Sequence, residues 1–473
     1  MAEARVMPAI GTAAGASGNT STAPWPSPAK AWYAVGVFGA TVFTLFGNQF
    51  LLALMLEPIK LDMKLSDQQV SLIFGAAGQF VLAFMSLLVS PLADIYKRRL
   101  IIGIGLIIIG LCNFGSAMVA TAGAMLIIRL LGGAGGAGNG PATFSLLADT
   151  FPPAKLPKAM ATMNIGFMIA VGLTYLVGGF LLRSLSTPEY TLPVVGTLRS
   201  WQVVFLILAV PDLLLGLLVL FTVNEPQRRG QVTASVNNSK GFFDTLAAIV
   251  RDYVPVFQYL WKNRGAFGPM YIGLLINCVA LVGNSFWMAP FYQRAHHWGP
   301  AQFGIYQGWL LLILAPAGLL LGGWIAERLA KRGIMDANQR VVVWAGLAHI
   351  PFALAFALVP SPWMALVLAS LSTSIIGIGT GPQNAAFQAI APNQMRAKIT
   401  ATFLFMFTMG MALGPPTVSS LTAYLFDDPA GATDRIRYSL ALMHAVLGPL
   451  AVFIFWRGLR AYGEAFARAQ GAR

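Results

Sequence analysis

About twelve apolar runs, each near the length a helix needs to cross a bilayer, follow one another along this chain with short polar breaks between them. Their approximate limits are residues 32–56, 67–93, 100–121, 123–150, 158–183, 200–223, 266–292, 301–327, 341–359, 363–389, 398–425 and 438–457. A bilayer core asks for about 20 apolar residues per helix. The expected fold class is therefore an all-α membrane protein. Composition agrees: 57% of the 473 residues are hydrophobic and 10% charged, where soluble domains carry roughly 25% charged residues.

The charge balance is +14, from 31 Lys+Arg against 17 Asp+Glu. In a soluble protein such an excess suggests nucleic acid. Here the cations sit in the breaks, and no nucleic-acid partner is expected. With the N-terminus inside, 23 of them fall on inner segments and 7 on outer ones, leaving Arg129 within a span. The positive-inside rule then predicts both termini in the cytoplasm.

Residues 1–31 are rich in Ala, Gly, Ser, Thr and Pro and lack a signal-peptide pattern, which predicts a disordered cytoplasmic tail. Residues 32–223 and 266–457 form two groups of six runs, and 458–473 a basic cytoplasmic tail. Between the groups, 224–265 opens as a polar loop. Phe243, Leu246, Val250, Tyr253, Phe257 and Leu260 then recur at helical spacing, predicting a cytoplasmic linker with interfacial helix, locally broken at Pro255. Cys112 and Cys278 fall in apolar runs and imply neither a disulfide framework nor a thiolate metal site.

Residues 126–149, LIIRLLGGAGGAGNGPATFSLLAD, carry the strongest functional signal. A cation at the centre of a spanning helix costs roughly 2.5–3.5 kcal/mol on insertion scales, so Arg129 is expected to face the bundle interior or a water-filled cavity. Gly132, Gly136 and Gly140 recur every fourth residue, a spacing that predicts close helix packing along one face. The glycines do not form a phosphate loop, which ends in Lys-Ser/Thr. Asp212, beside Pro211 in the sixth run, is the only acid placed deep in hydrocarbon. It is a candidate proton carrier or partner of Arg129, or else a bonded acid beside a proline kink.

Polar residues in other runs predict an uncharged cavity lining: Asn48, Gln49, Asn164, Tyr175, Asn284, Trp287, Gln307, Gln383 and Asn384. With Arg129 as its main electrostatic feature, such a cavity favours a small organic anion or a lipid-like amphipathic anion as substrate. His296 and His297 are read as solvated, and His349 and His444 as isolated, satisfied residues. No catalytic or metal-binding constellation is visible, so neither an enzyme nor a cofactor is expected.

SPLADIYKRRL (90–100) places Asp94 where it can pair with Arg98, with Lys97 and Arg99 at lipid headgroups. GGWIAERLAKR (322–332) repeats the pattern with Glu327 and Lys331, one helix-hairpin into each half, as internally repeated transporters do. SPLADIYKRRL resembles the signature loop of the major facilitator superfamily. EPIKLDMKLSDQQ, SLLADTFPPAK, FWMAPFYQRAHHW and IAPNQMRAKITA are similar to its spinster-like branch, whose animal members move sphingolipids or lysolipids.

That resemblance implies two six-helix bundles that rock about a shared cavity. Asp94, Arg98, Arg99, Glu327 and Lys331 would act as conformational latches on the inner side. It also implies a bacterial inner (plasma) membrane, and a monomer suffices. Branch members commonly carry Asp-Arg where this chain has Asn48-Gln49, and a glutamate where it has Gly136. Three cavity charges are thus missing while Arg129 is kept. Either Asp212 takes over proton coupling, giving a proton-coupled exporter, or the protein is a facilitator. A non-transporting receptor or sensor on the same fold is the reading from another class.

Overall fold

The computed structural model describes residues 24–185, 187, 189–193, 196–228, 242–392, 395–426 and 433–471. The expected N-terminal tail up to residue 23 and the opening of the linker from 229 to 241 lie outside the described residues, as do the side chains of Asp94 and Asn164.

The first half contains α1 (Pro28–Leu54), α2 (Leu56–Asp62), α3 (Asp67–Val70), a π-helical turn (Ser71–Ala77), α4 (Gly78–Ile95), α5 (Arg98–Met118), α6 (Ala122–Gly136), α7 (Asn139–Thr150), α8 (Leu156–Ser184) and α9 (Ser200–Thr222). A hairpin of β1 (Glu189–Leu192) and β2 (Gly196–Arg199) joins α8 to α9. After α10 (Phe242–Lys262) come α11 (Arg264–Ala295), α12 (Pro300–Lys331), α13 (Ala337–Leu358), α14 (Pro362–Ala389), α15 (Arg396–Leu425) and α16 (Ile436–Gly471).

Among the described residues, eleven helical stretches are long and apolar enough to span a membrane. The twelfth expected span is α6 and α7, which meet at Ala137–Gly138. Local chemistry sets several ends. Ser66 accepts from the Gln69 N–H at 3.2 Å while the Gln69 side chain accepts from the Ser66 N–H at 2.9 Å, a reciprocal cap for α3. Prolines fill the first turn of α1, α12 and α14, where no N–H is needed. One expectation is corrected. Pro255 does not break α10, which runs unbroken through it. The last helix continues to Gly471, so 458–471 is helical.

The two ends of the helix stack differ. The hairpin and the α1–α2 turn mark one end; Lys97–Arg99, Arg228 and Arg396 mark the other, here called the basic end. At the hairpin end a single apolar cluster joins both halves, with Leu54, Phe74 and Tyr175 against Trp287, Tyr292 and Phe303. At the basic end each half has its own: Phe38, Ile102 and Leu146 in the first, Phe267, Phe387 and Tyr462 in the second. The seam between α8 and α12 is backbone-close. A Cβ on Gly308 would stand 2.5 Å from the Leu176 nitrogen, and one on Gly179 2.6 Å from that of Ile305.

Candidate functional site

A cavity of about 980 Å3 separates the halves. Its walls reach from Ala93, Ala148 and Arg396 at the basic end to Ile73 and Phe74 deep inside. Arg129, on α6, lines the deep end. Its Nη2 donates to the Ser116 hydroxyl at 2.8 Å, and that hydroxyl donates in turn to the Cys112 carbonyl at 2.7 Å. The guanidinium lies over the rings of Phe205 and Phe74, at 4.7 and 5.4 Å. Its Nε is buried with no partner, and among the described residues no carboxylate pairs with it. The side chain is held by aromatic faces, the Ser116 hydroxyl and the Met125 sulfur, which stands 3.9 Å from Nη2, and none of these offsets its charge.

Asn48 and Gln49 also line this space. Asp212 does not. It is fully buried behind Asn48 and Asn113, whose amides donate to its Oδ2 at 2.9 and 2.8 Å. It is therefore a partner of neither Arg129 nor the cavity surface, and the expected contact with Arg129 is corrected.

The remaining lining expectations are corrected by packing. Tyr175 is buried between the rings of Phe50 and Phe303. Trp287 is buried and donates to the Pro415 carbonyl at 2.9 Å. Asn284 and Gln383 are buried, and Gln307 accepts from Ser370 at 3.4 Å. Asn384 is exposed and accepts from Gln388, which does line the cavity, at 3.2 Å. Hydropathy located the spans of these residues but not which way each helix is turned.

The glycine face turns out to be cavity wall. Gly132, Gly136 and Gly140 all line it. A Cβ on Gly140 would meet nothing within 4 Å, and one on Gly132 only Cys112, at 3.7 Å. A Cβ on Gly136 would stand 3.2 Å from Leu82, and the closest approaches belong to the glycines between: Gly133 lies against the Gly78 backbone, and a Cβ on Gly135 would stand 2.7 Å from Ile108. Gly133 also lines the cavity, so a turn of about 100° per helical position brings the backbone contact to the cavity edge.

The latch residues make contacts within their own halves. Arg98, 1% exposed, sends Nη1 to Asp149 at 2.6 Å and to Ser145, and Nε to Glu225 at 2.9 Å. The expected pairing with Asp94 involves a side chain outside the described residues. The Arg99 N–H donates to Glu225 at 3.0 Å. Glu327 and Lys331 form an exposed ion pair one turn apart, at 2.6 Å.

Ion pairs between the halves lie instead at the hairpin end. Arg294, at the end of α11, forks onto Asp67 at 2.6 and 2.8 Å and also holds Glu57. Lys60 shares Asp67 at 2.6 Å. Beside them the Ser71 and Ser419 hydroxyls meet at 2.8 Å. The sequence counted Arg294 only as an outer-loop charge; its place at the foot of FWMAPFYQR, facing acids in EPIKLDMKLSDQQ, was the available signal.

His349 and His444 are not isolated, as expected, but 5.3 Å apart between ring centroids. His349 meets the Ser372 hydroxyl at 2.8 Å, while neither nitrogen of His444 has a partner among the described residues.

The Major Facilitator Superfamily model matches residues 37–415. An MFS-type efflux pump of Mycolicibacterium smegmatis is 25% identical over 438 residues, covering 91% of this chain and 92% of its own. A purine ribonucleoside efflux pump of Escherichia coli is 23% identical over 364 residues, 72% of this chain and 80% of its own. Among solved structures, the inward-facing, unoccupied form of a bacterial homologue of the human lysosomal transporter Spinster superposes with a TM-score of 0.71 at 21% identity, covering 95% of this chain and 99% of its own.

Proposed function

From the premise that the chain belongs to the Major Facilitator Superfamily, a family of membrane transporters, we propose that it carries a small organic anion or an amphipathic, lipid-like anion by alternating access, with Arg129 receiving the anionic group. The observation that carries this reading is the Arg129 guanidinium in the cavity wall with a buried, unpartnered donor. In a low-dielectric wall an uncompensated cation attracts an anion more strongly than it does in water. We take the basic end as cytoplasmic, on the distribution of Lys and Arg. The cavity then opens inward, and cargo enters from the cytoplasm. The efflux pumps among the relatives support the export direction.

The test is anion flux in proteoliposomes, with the cargo found by thermal-shift screening of the purified protein, since a ligand of the folded state raises its melting temperature. Arg129→Ala is expected to cut flux at least 100-fold while the protein stays folded in the membrane; unchanged flux removes Arg129 from the mechanism.

A second reading, a proton-coupled exporter, is favoured by the Asp212 carboxylate held directly behind the cavity-lining Asn48 and Asn113. Loss of proton-driven accumulation in Asp212→Asn, with exchange kept, would support it.

A further inference from the structure

The cavity carries a cation at each end. Arg129 stands at the deep end, beside Phe74. Arg396 is the first residue of α15 and lines the mouth at the basic end. They belong to opposite halves. Among the described lining residues they are the only charged side chains, and none of those residues carries a carboxylate. Each also has its Nε buried without a partner.

The distance between them follows from helix geometry. Gly75, next to Phe74, packs on Pro415, and a Cβ at Gly75 would stand only 2.5 Å from that ring. Pro415 lies nineteen residues along α15 from Arg396, about 28 Å at 1.5 Å per residue. The gap that a ligand must bridge is roughly 20–28 Å, the lower value applying where both side chains extend along the cavity. The wall between is largely apolar, with Leu82, Leu87, Ile109, Ile128, Leu404 and Phe407.

A monoanion seated on Arg129 leaves the second guanidinium uncompensated. Two like charges facing one low-dielectric space are best answered by two negative groups at the same separation. We propose that the preferred cargo is an elongated dianion, with an acidic group at each end of an apolar chain, one for Arg129 and one for Arg396. This rests on the reading of Arg129 as the anion site and narrows its substrate class. Because the two cations sit on different halves, such a cargo ties the halves together through its own length.

Three probes on the purified protein test this by calorimetry. At about 1.2 Å of extended length per chain bond, hexadecanedioate spans about 20 Å and octanedioate about 10 Å. Hexadecanoate has the longer chain with one charge. The wild type is expected to bind hexadecanedioate at least tenfold tighter than either of the others, tenfold being about 1.4 kcal/mol. Arg396→Gln should reduce hexadecanedioate to the level of hexadecanoate and weaken hexadecanoate far less than hexadecanedioate, whereas Arg396→Lys should keep most of the preference.

Equal affinity for the long dianion and the monoanion, or octanedioate as tight as hexadecanedioate, overturns the proposal in the wild type alone. So does an Arg396→Gln protein that weakens both long probes alike, the result expected if Arg396 only sets the balance between conformations. Failure of the underlying reading looks different: hexadecanoate then binds Arg129→Gln as well as wild type, or no probe binds at all.

Discussion

The hairpin end and the basic end of the molecule are built from the same materials, arginines and carboxylates over apolar clusters, yet they are wired oppositely. At the hairpin end Arg294 of one half grips Glu57 and Asp67 of the other, and one apolar cluster runs through both. At the basic end Arg98 binds Asp149 within its own half, and each half keeps a separate cluster. A charge pair closes a gate only when its partners sit on different moving bodies. Inside one body the same pair braces that body. Among the described pairs, the cavity opens where Arg98 pairs within its half and is shut where Arg294 pairs across.

That contrast can be tested by a disulfide between Ser71→Cys and Ser419→Cys, with Cys112 and Cys278 replaced, because those hydroxyls touch across the closed seam. The largest effect is expected from Gly308→Leu. Its side chain would occupy the Leu176 backbone, so the hairpin end cannot close as seen and the crosslink should be lost; a crosslink at wild-type rate would show that the seam yields.

Arg294→Ala comes next. It strands Glu57 and leaves Asp67 only Lys60; breaking a buried pair costs about 3–5 kcal/mol, reduced here because both acids keep some solvent and Asp67 keeps a cation. Crosslinking should slow at least tenfold. Arg98→Ala should lower the melting temperature of the protein by several degrees while the crosslink forms normally; a slowed crosslink would make Arg98 a gate residue. Glu327→Ala should change stability by under about 0.5 kcal/mol, because its pair with Lys331 is exposed.

The spans were legible because hydrocarbon demands about 20 apolar residues whatever the fold around them. Arg129 was legible for a related reason: a cation in such a run has few places to point. With Asn48 and Gln49 it does line the cavity. What the sequence withheld was rotation and partnership. A glycine every fourth residue marks a face, but whether that face meets a helix or a cavity depends on neighbours far away in the chain. Gly132 meets the cavity, while Gly133, one position on, both lines it and packs on the Gly78 backbone. The partners of Arg98 and Arg294 lie 127 and 227 residues away, at Glu225 and Asp67, and no local pattern names them. The break at Ala137–Gly138 was hidden because its glycines also read as a packing motif.

The π-helical turn Ser71–Ala77 performs three tasks within five residues. Ser71 touches Ser419 of the opposite half, Phe74 lies against Arg129, and Gly75 abuts Pro415. The floor of the cavity is thus the underside of the seam that keeps the far side shut. A visitor heavy enough to displace one ring there pulls on the stitching directly, with no relay through distant helices.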